Sequence, residues 1–231
     1  FDRSEEITSR IPKGFIFGAA TSSWQIEGSS HTRGRSIWED FCDVPGKILD
    51  GAGADPATDH INRLVGDLDL LARLGVDSYR FSVSWPRILH EGHGVVDPKG
   101  LEFYDRLIDG LLERNIKPAL TLYHWDLPSA LQSKGGWANK EIYEHFENYA
   151  DVLSSKFADR VFSWATLNEP WVVAYLGNAA GIHAPGLKDP ATAFEVSYNL
   201  MVASGKAMEV LRSNKANNPG IVLNLTTIIG D

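Results

Sequence analysis

Val161-Phe162-Ser163-Trp164-Ala165-Thr166-Leu167-Asn168-Glu169-Pro170-Trp171 opens as an apolar strand and closes on an amide, a carboxyl and an indole. A strand that leaves a packed interior at a cleft gives that order. The same order recurs outward from it. Residues 118–124 (PALTLYH) read as a strand ending on His124-Trp125-Asp126. Residues 78–84 (SYRFSVS) alternate as a strand does, with Arg80 inside and Trp85 just beyond. Residues 14–21 (GFIFGAAT) form a first short strand, followed by Gln25, and residues 220–226 (GIVLNLT) a last one.

Between the strands lie helical patterns. In residues 59–74, Ile61, Leu64, Leu68, Leu71 and Leu74 fall at helical spacing. Residues 98–114 open with Pro98, a good first-turn residue, and 140–157 and 190–213 follow. The order β-α-β-α-β-α-β-α-β indicates a parallel α/β architecture. A doubly wound nucleotide binder carries GxGxxG after its first strand. Here Ser22-Ser23-Trp24-Gln25-Ile26-Glu27-Gly28 follows instead, and the sequence has no phosphate-cradling glycine loop. Polar and aromatic residues cluster at four successive strand ends, where a (β/α)8 TIM-type barrel assembles its active site. The expectation is therefore a single part of such a barrel over residues 1–231, supplying about the first five strands and four helices.

Composition narrows the function. With 43% hydrophobic and 23% charged residues the chain reads as an ordinary globular protein. No apolar run approaches the ~18 residues that span a bilayer, so no membrane span is expected. A net charge of −8 argues against nucleic acid and fits a neutral or cationic partner. Cys42 is the only cysteine, which excludes an internal disulfide and cysteine-based zinc sites and reads as a small buried hydrophobe. Asn224-Leu225-Thr226 is a glycosylation sequon inside a run read as a buried strand, so no glycan is expected there. No signal-peptide pattern opens the chain, and a cytoplasmic location is expected. The first residue is Phe1 rather than Met, which leaves secretion open. Seven Trp and seven Tyr are many for this length, and Trp24, Trp38, Trp125, Trp137 and Trp171 sit in polar segments. Rings beside carboxyls and amides offer a sugar a flat apolar face and hydrogen bonds for its hydroxyls.

Glu169 is the candidate catalytic residue. A carboxyl at a strand end beside an amide and an indole suits a general acid, because partly apolar surroundings favour the protonated form. Pro170 is expected to hold Glu169 extended and to keep a helix from starting there. His124 reads as a hydrogen-bond donor: no HxH, HxxxH or carboxylate cluster surrounds it, so no metal is expected. Gln25 offers an amide with both donor and acceptor. Arg80 carries a charge within a strand and calls for an acidic partner, Glu169 or a residue outside the chain. His60, His90, His93, His145 and His183 are assigned structural roles.

Several motifs then resemble glycoside hydrolase family 1. They are FIFGAATSSWQIEG (15–28), YRFSVSWPRI (79–88), TLYHWDLPSALQ (121–132) with GGW (135–137), TLNEPW (166–171) and HAPG (183–186), in order along nearly the whole chain. The resemblance implies a retaining β-glucosidase or β-galactosidase without a cofactor. Glu169 would be its acid/base, Gln25, His124 and Asn168 would hold sugar hydroxyls (Asn168 the 2-OH), Trp125 would line the same subsite, and Arg80 would hydrogen-bond the nucleophile. Pro170-Trp171, where phosphoglycosidases of the family have Ile-Asn, points to non-phosphorylated sugars.

Family members are about twice as long, and their nucleophile lies in a later Ile/Val-Thr-Glu-Asn-Gly motif. Only Glu195 and Glu209 follow Glu169 here, both in the helical stretch 190–213. Ala203-Ser204-Gly205 stands where the family commonly has Ala-His-Gly. The chain is thus expected to lack the nucleophile, to be inactive alone, and to associate with a C-terminal half-barrel or with itself. The alternative is a non-catalytic carbohydrate-binding or assembly half-barrel.

Overall fold

The computed structural model describes residues 11–225. Five strands pair side by side in chain order: β1 Gly18–Ala20, β2 Ser78–Ser82, β3 Lys117–Tyr123, β4 Ser163–Asn168 and β5 Pro219–Val222. All four pairings are parallel, running through Ala20↔Arg80, Arg80↔Ala119, Thr121↔Ala165 and Asn168↔Val222. A sequential order follows from stepwise β-α-β crossovers, whereas a doubly wound sheet reverses order at a switch point. The order therefore selects the barrel type over the doubly wound sheet.

Helices link the strands. Chain order gives α1 Ser23–Ile26, α2 Ile37–Cys42, α3 His60–Leu74, α4 Trp85–Ile88, α5 Pro98–Glu113, α6 Ser129–Gln132, α7 Ile142–Phe157 and α8 Pro190–Ser213. A π-helix spans Val172–Ala179 before α8. The long helices α3, α5, α7 and α8 match the four helical patterns in the sequence. Two of them start alike: Asp97 and Asp189 cap α5 and α8 by accepting the next free N–H groups, and Pro98 and Pro190 occupy the first turn.

Two sequence expectations change at the sheet edges. Of residues 14–21 only Gly18–Ala20 pair, and Phe15, Ile16 and Phe17 are exposed. Of residues 220–226, β5 ends at Val222, Leu223, Asn224 and Leu225 are exposed, and residue 226 lies outside the described range. The run is not a buried strand, because among the described residues β5 pairs on one side only, as does β1.

The core lies between the sheet and the helices. Trp85 stacks on Tyr149 of α7 with ring centroids 4.9 Å apart and donates its indole N–H to the Gly92 carbonyl at 3.1 Å. The Tyr149 hydroxyl faces the carbonyls of Val83 and Leu122 at 3.1 and 3.0 Å, so one ring ties α7 to two strand ends. On α5, Phe103, Tyr104, Leu107, Ile108 and Leu111 form the buried face. Gly110 belongs to that face because α3 passes close: a Cβ there would meet Leu68 Cδ1 at 2.4 Å. Gly110→Val is expected to push α3 and α5 apart and to cost about 1–3 kcal/mol, read as a lower urea midpoint at unchanged slope.

Candidate active site

The strand ends converge on Asn168, the last residue of β4, which is almost fully buried. Arg80 Nη1 donates to Asn168 Oδ1 at 3.0 Å. Arginine can only donate, so the amide oxygen must face it and the NH2 end points the other way. The Trp125 indole donates to the Asn168 carbonyl at 2.8 Å. Asn168 thus joins the ends of β2, β3 and β4. Among the described residues the direct partner of Arg80 is the Asn168 amide rather than Glu169. Glu169 still acts on Arg80 through space, opposing the downward push of burial on the guanidinium.

Glu169 is half-buried, and its backbone departs from expectation. Its φ is +48°, left-handed rather than extended, and helical structure begins at Pro170. The residue before a proline is driven out of the right-handed helical region, and here the chain takes the left-handed exit rather than the extended one. Proline then serves as a first-turn residue. The turn is held at both ends: Glu169 N donates to Val222 O at 2.8 Å, and Val172 N donates to Glu169 O at 2.9 Å. Trp125 shares the anomaly with φ +77°, rare for a bulky side chain and characteristic of strained functional turns.

The other sequence-derived residues lie around this centre. His124 is half-buried beside Trp125, with ring centroids 5.1 Å apart. Burial, with the nearby positive charge of Arg80, pushes its imidazole down to about 4, so it is neutral at neutral pH. Its Nδ1 is buried without a hydrogen-bond partner. Gln25 is exposed on α1, its Oε1 accepting from Ser22 Oγ at 2.9 Å. Trp24, next to it, stacks on Trp38 at 6.2 Å with Arg33 over its face at 5.5 Å. Trp171 is half-exposed, whereas Trp137 belongs to the core. No grouping of three or more His, Cys, Asp or Glu fit to hold a metal occurs among the described residues. Cys42, expected to be buried, is partly exposed on the wall of a cavity of about 130 Å³, and burial pushes its thiol up.

His183, given a structural role from the sequence, stands beside the site's aromatic residues. The imidazole lies 5.7 Å from Trp38 and 5.5 Å from Trp125, in one recess with Tyr123, and its Nδ1 is buried without a partner. The available signal was its own motif, His183-Ala184-Pro185-Gly186.

Asp126 was also unassigned. Ser23 Oγ donates to Asp126 Oδ2 at 2.9 Å, and Ser23 N donates to Ser82 Oγ at 2.8 Å, so Ser23 ties Asp126, just after β3, to the ends of β1 and β2. Burial raises the Asp126 carboxyl from 3.8 to about 7. The folded chain then holds a proton that the unfolded chain releases near pH 4. The associated stability is present below about 4 and lost as pH rises toward 7. His124 titrates with the opposite sign, since its lowered value makes stability rise from about 4 toward its ordinary 6.5. Asp126→Asn removes the first effect alone. Its stability relative to the parent is expected to climb between pH 4.5 and 7, read from urea midpoints along that series.

Comparison with known proteins places this geometry. The family profile described as Glycosyl hydrolase family 1 matches residues 7–229. Beta-glucosidase A of Thermotoga maritima is 52% identical over 93% of this chain and 49% of its own length. A 1,4-beta-D-glucan glucohydrolase of Thermotoga neapolitana is 51% identical over 93% of this chain and 51% of its own. The solved beta-glucosidase from Thermotoga maritima in complex with methoxycarbonyl-substituted glucoimidazole superposes with a TM-score of 0.91, covering 93% of this chain and 50% of that one. The chain spans about half the length of these relatives, and its sheet matches part of their (β/α)8 barrel. By profile, sequence and fold together, the chain belongs to glycosyl hydrolase family 1.

Proposed function

We propose that this chain supplies the acid/base half of a retaining β-glucosidase active site, hydrolysing terminal non-reducing β-D-glucosyl or galactosyl residues. The observation that carries the reading is Glu169 itself, locked at positive φ between β4 and β5 beside a buried Asn168 that also takes Arg80 and Trp125. Oligosaccharides of β-1,4-glucan are the favoured substrate class, in keeping with the names of two relatives.

Each residue has a role in this reaction. Glu169 gives its proton to the glycosidic oxygen while a carboxylate from outside these residues attacks the anomeric carbon. As a carboxylate it then takes a proton from the water that opens the glycosyl–enzyme bond. The two carboxyls stand about 5–5.5 Å apart in such a reaction. The NH2 end of Asn168 meets the 2-OH, neutral His124 donates to a neighbouring hydroxyl, Gln25 donates and accepts from the β1 side, and Trp125 receives the apolar sugar face. Arg80 holds the nucleophile as an anion.

Mixing this chain with the C-terminal portion of a full-length relative is expected to give turnover of a β-glucoside that the chain alone does not hydrolyse. Glu169→Gln is expected to lower kcat/KM by about 10²–10⁴-fold for a poor leaving group and far less for a nitrophenyl glucoside, whose departure needs no proton, while kcat for the nitrophenyl glucoside still falls because the water that opens the glycosyl–enzyme bond loses its base. Turnover by the 231-residue chain alone, lost in Glu169→Gln, would overturn the division of carboxyls.

The sheet edges support a partner. Phe15 and Phe17 near β1, and Leu223 and Leu225 after β5, are exposed beside strands that, among the described residues, pair on one side only. A C-terminal half-barrel, or failing that a second copy, covers them in this reading. Sedimentation at micromolar concentration is expected to show association, and a clean monomer counts against it.

A further inference from the structure

We propose that the rim outside the active site carries a second carbohydrate-binding groove, which takes the trailing sugars of a β-1,4-linked glucan chain. Phe194 and Tyr198 of α8 form one wall, and Ala138 and Lys140, on the approach to α7, form the other. The groove has a volume of about 450 Å³. Both rings are 65% exposed and stand one helical turn apart, so they present neighbouring apolar faces to solvent.

The groove is connected to the chemistry. Trp171, two residues after Glu169, stacks on Tyr175 with centroids 5.5 Å apart, and Tyr175 meets Phe194 edge-on at 6.2 Å. A line of rings thus leads from the acid/base residue over the rim to the groove. Flat rings receive the C–H faces of pyranoses, and the polar groups beside them receive hydroxyls. Lys140 and Glu195 carry opposite charges at the groove, which fits a neutral polyhydroxylated ligand better than an anion.

The wall is built in advance. Asn199 Nδ2 donates to the carbonyls of Trp137 and Ala138 at 2.8 and 3.2 Å, and the Tyr143 hydroxyl donates to Asn199 Oδ1. These bonds clamp the 137–138 backbone onto α8 and lower the ordering cost of binding. Glu195, Tyr198 and Asn199 line the groove opposite Ala138 and Lys140, while Phe194 lies at its outer edge, on the stripe that Met201 continues two helical turns on. In a sequential array a following helix would border the groove at that edge, opposite the side toward α7.

The direction of the bound chain rests on the Glu169 reading, but the groove does not. Calorimetric titration of the 231-residue chain with cellopentaose is expected to detect binding. The double variant Phe194→Ala/Tyr198→Ala is expected to weaken it at least roughly tenfold, and Tyr198→Trp, which keeps a ring, to preserve it. No binding by the parent, or equal affinity in the double variant, overturns the proposal. So does a double variant that turns a dimer into a monomer at unchanged cellopentaose affinity, which would make this face a contact between copies. If the double variant fails to fold, hydroxyl-radical footprinting of the parent decides: cellopentaose must protect Phe194 and Tyr198, and unprotected rings overturn the proposal. Binding is read without turnover, so failure of the hydrolase reading and failure of the groove give different results.

Discussion

The buried ion pair of Glu27 and Arg87 is the contact on which the strand-end loops depend. Both residues are about 3% exposed. Two charges at that depth cost more than their attraction returns unless the remaining donors and acceptors are filled. Here they are filled. Arg87 Nε donates to Glu27 Oε2 at 2.9 Å, Nη1 to Thr32 Oγ1 at 2.8 Å and Nη2 to the Gly28 carbonyl at 3.2 Å. The Tyr104 hydroxyl donates to Glu27 Oε1 and accepts from Ser84 N. One network thereby joins the loop after β1, the turn after β2 and helix α5. The loop also lies so close to its neighbour that a Cβ on Gly34 would meet the His90 carbonyl at 2.1 Å. Trp24 and Gln25 ride on this body, so their place at the strand ends is fixed from behind.

On the other side of the site, strain performs the corresponding task. Left-handed φ at a residue other than glycine costs on the order of 1–3 kcal/mol and persists only where surroundings over-determine it. Trp125 is held by its indole bond to the Asn168 carbonyl, and Glu169 by backbone bonds to Val222 and Val172. Both turns follow directly from the ends of neighbouring strands. An extended chain at these points would carry the side chains onward along the strand direction. The left-handed turn instead swings each one sideways. The shift of register between Ala165 and Asn168 occurs in the same place, where β4 meets β5. The position of the acid/base candidate therefore depends on β5 as much as on its own strand.

How much of this was legible follows the range of the forces involved. Helix α8 was read to both ends, and its limits are local: Asp189 caps it, Pro190 opens it, and its buried face continues to Leu211. The (β/α) order was legible from alternating periods alone. The left-handed turn at Glu169 was not, since proline forbids only the right-handed region and the hydrogen bond that settles the choice comes from Val222, far along the chain. The contact of Arg80 with Asn168 was not legible for a similar reason: the need for an acceptor was visible, but which atom of β4 stands opposite was not. The π-helix at Val172–Ala179 carries no local signature that distinguishes it from a loop. The burial of Asp126 and the place of His183 against Trp38 and Trp125 depend on contacts far along the chain, which single residues do not reveal before folding.

The charges at the strand ends bear on the proposed chemistry. Near neutral pH His124 is uncharged, and burial raises the enclosed Asp126 carboxyl to about 7. Arg80 remains as a half-buried cation, engaged by the neutral amide of Asn168 and, among the described residues, by no salt bridge. Burial works against that charge, and Glu169 offsets it only through space. A guanidinium so placed is stabilised by a second anion nearby. It also favours the ionised form of any carboxyl brought within reach, as the nucleophile of the proposed reaction requires, while in that reaction Glu169 exchanges its proton in every cycle. One arginine can serve both needs if the nucleophile takes the direct contact and the acid/base residue stays at a distance. In this chain the direct contact goes to Asn168, and Glu169 is turned aside by its backbone. In the proposed reaction that arrangement leaves the carboxylate side of Arg80 to the nucleophile.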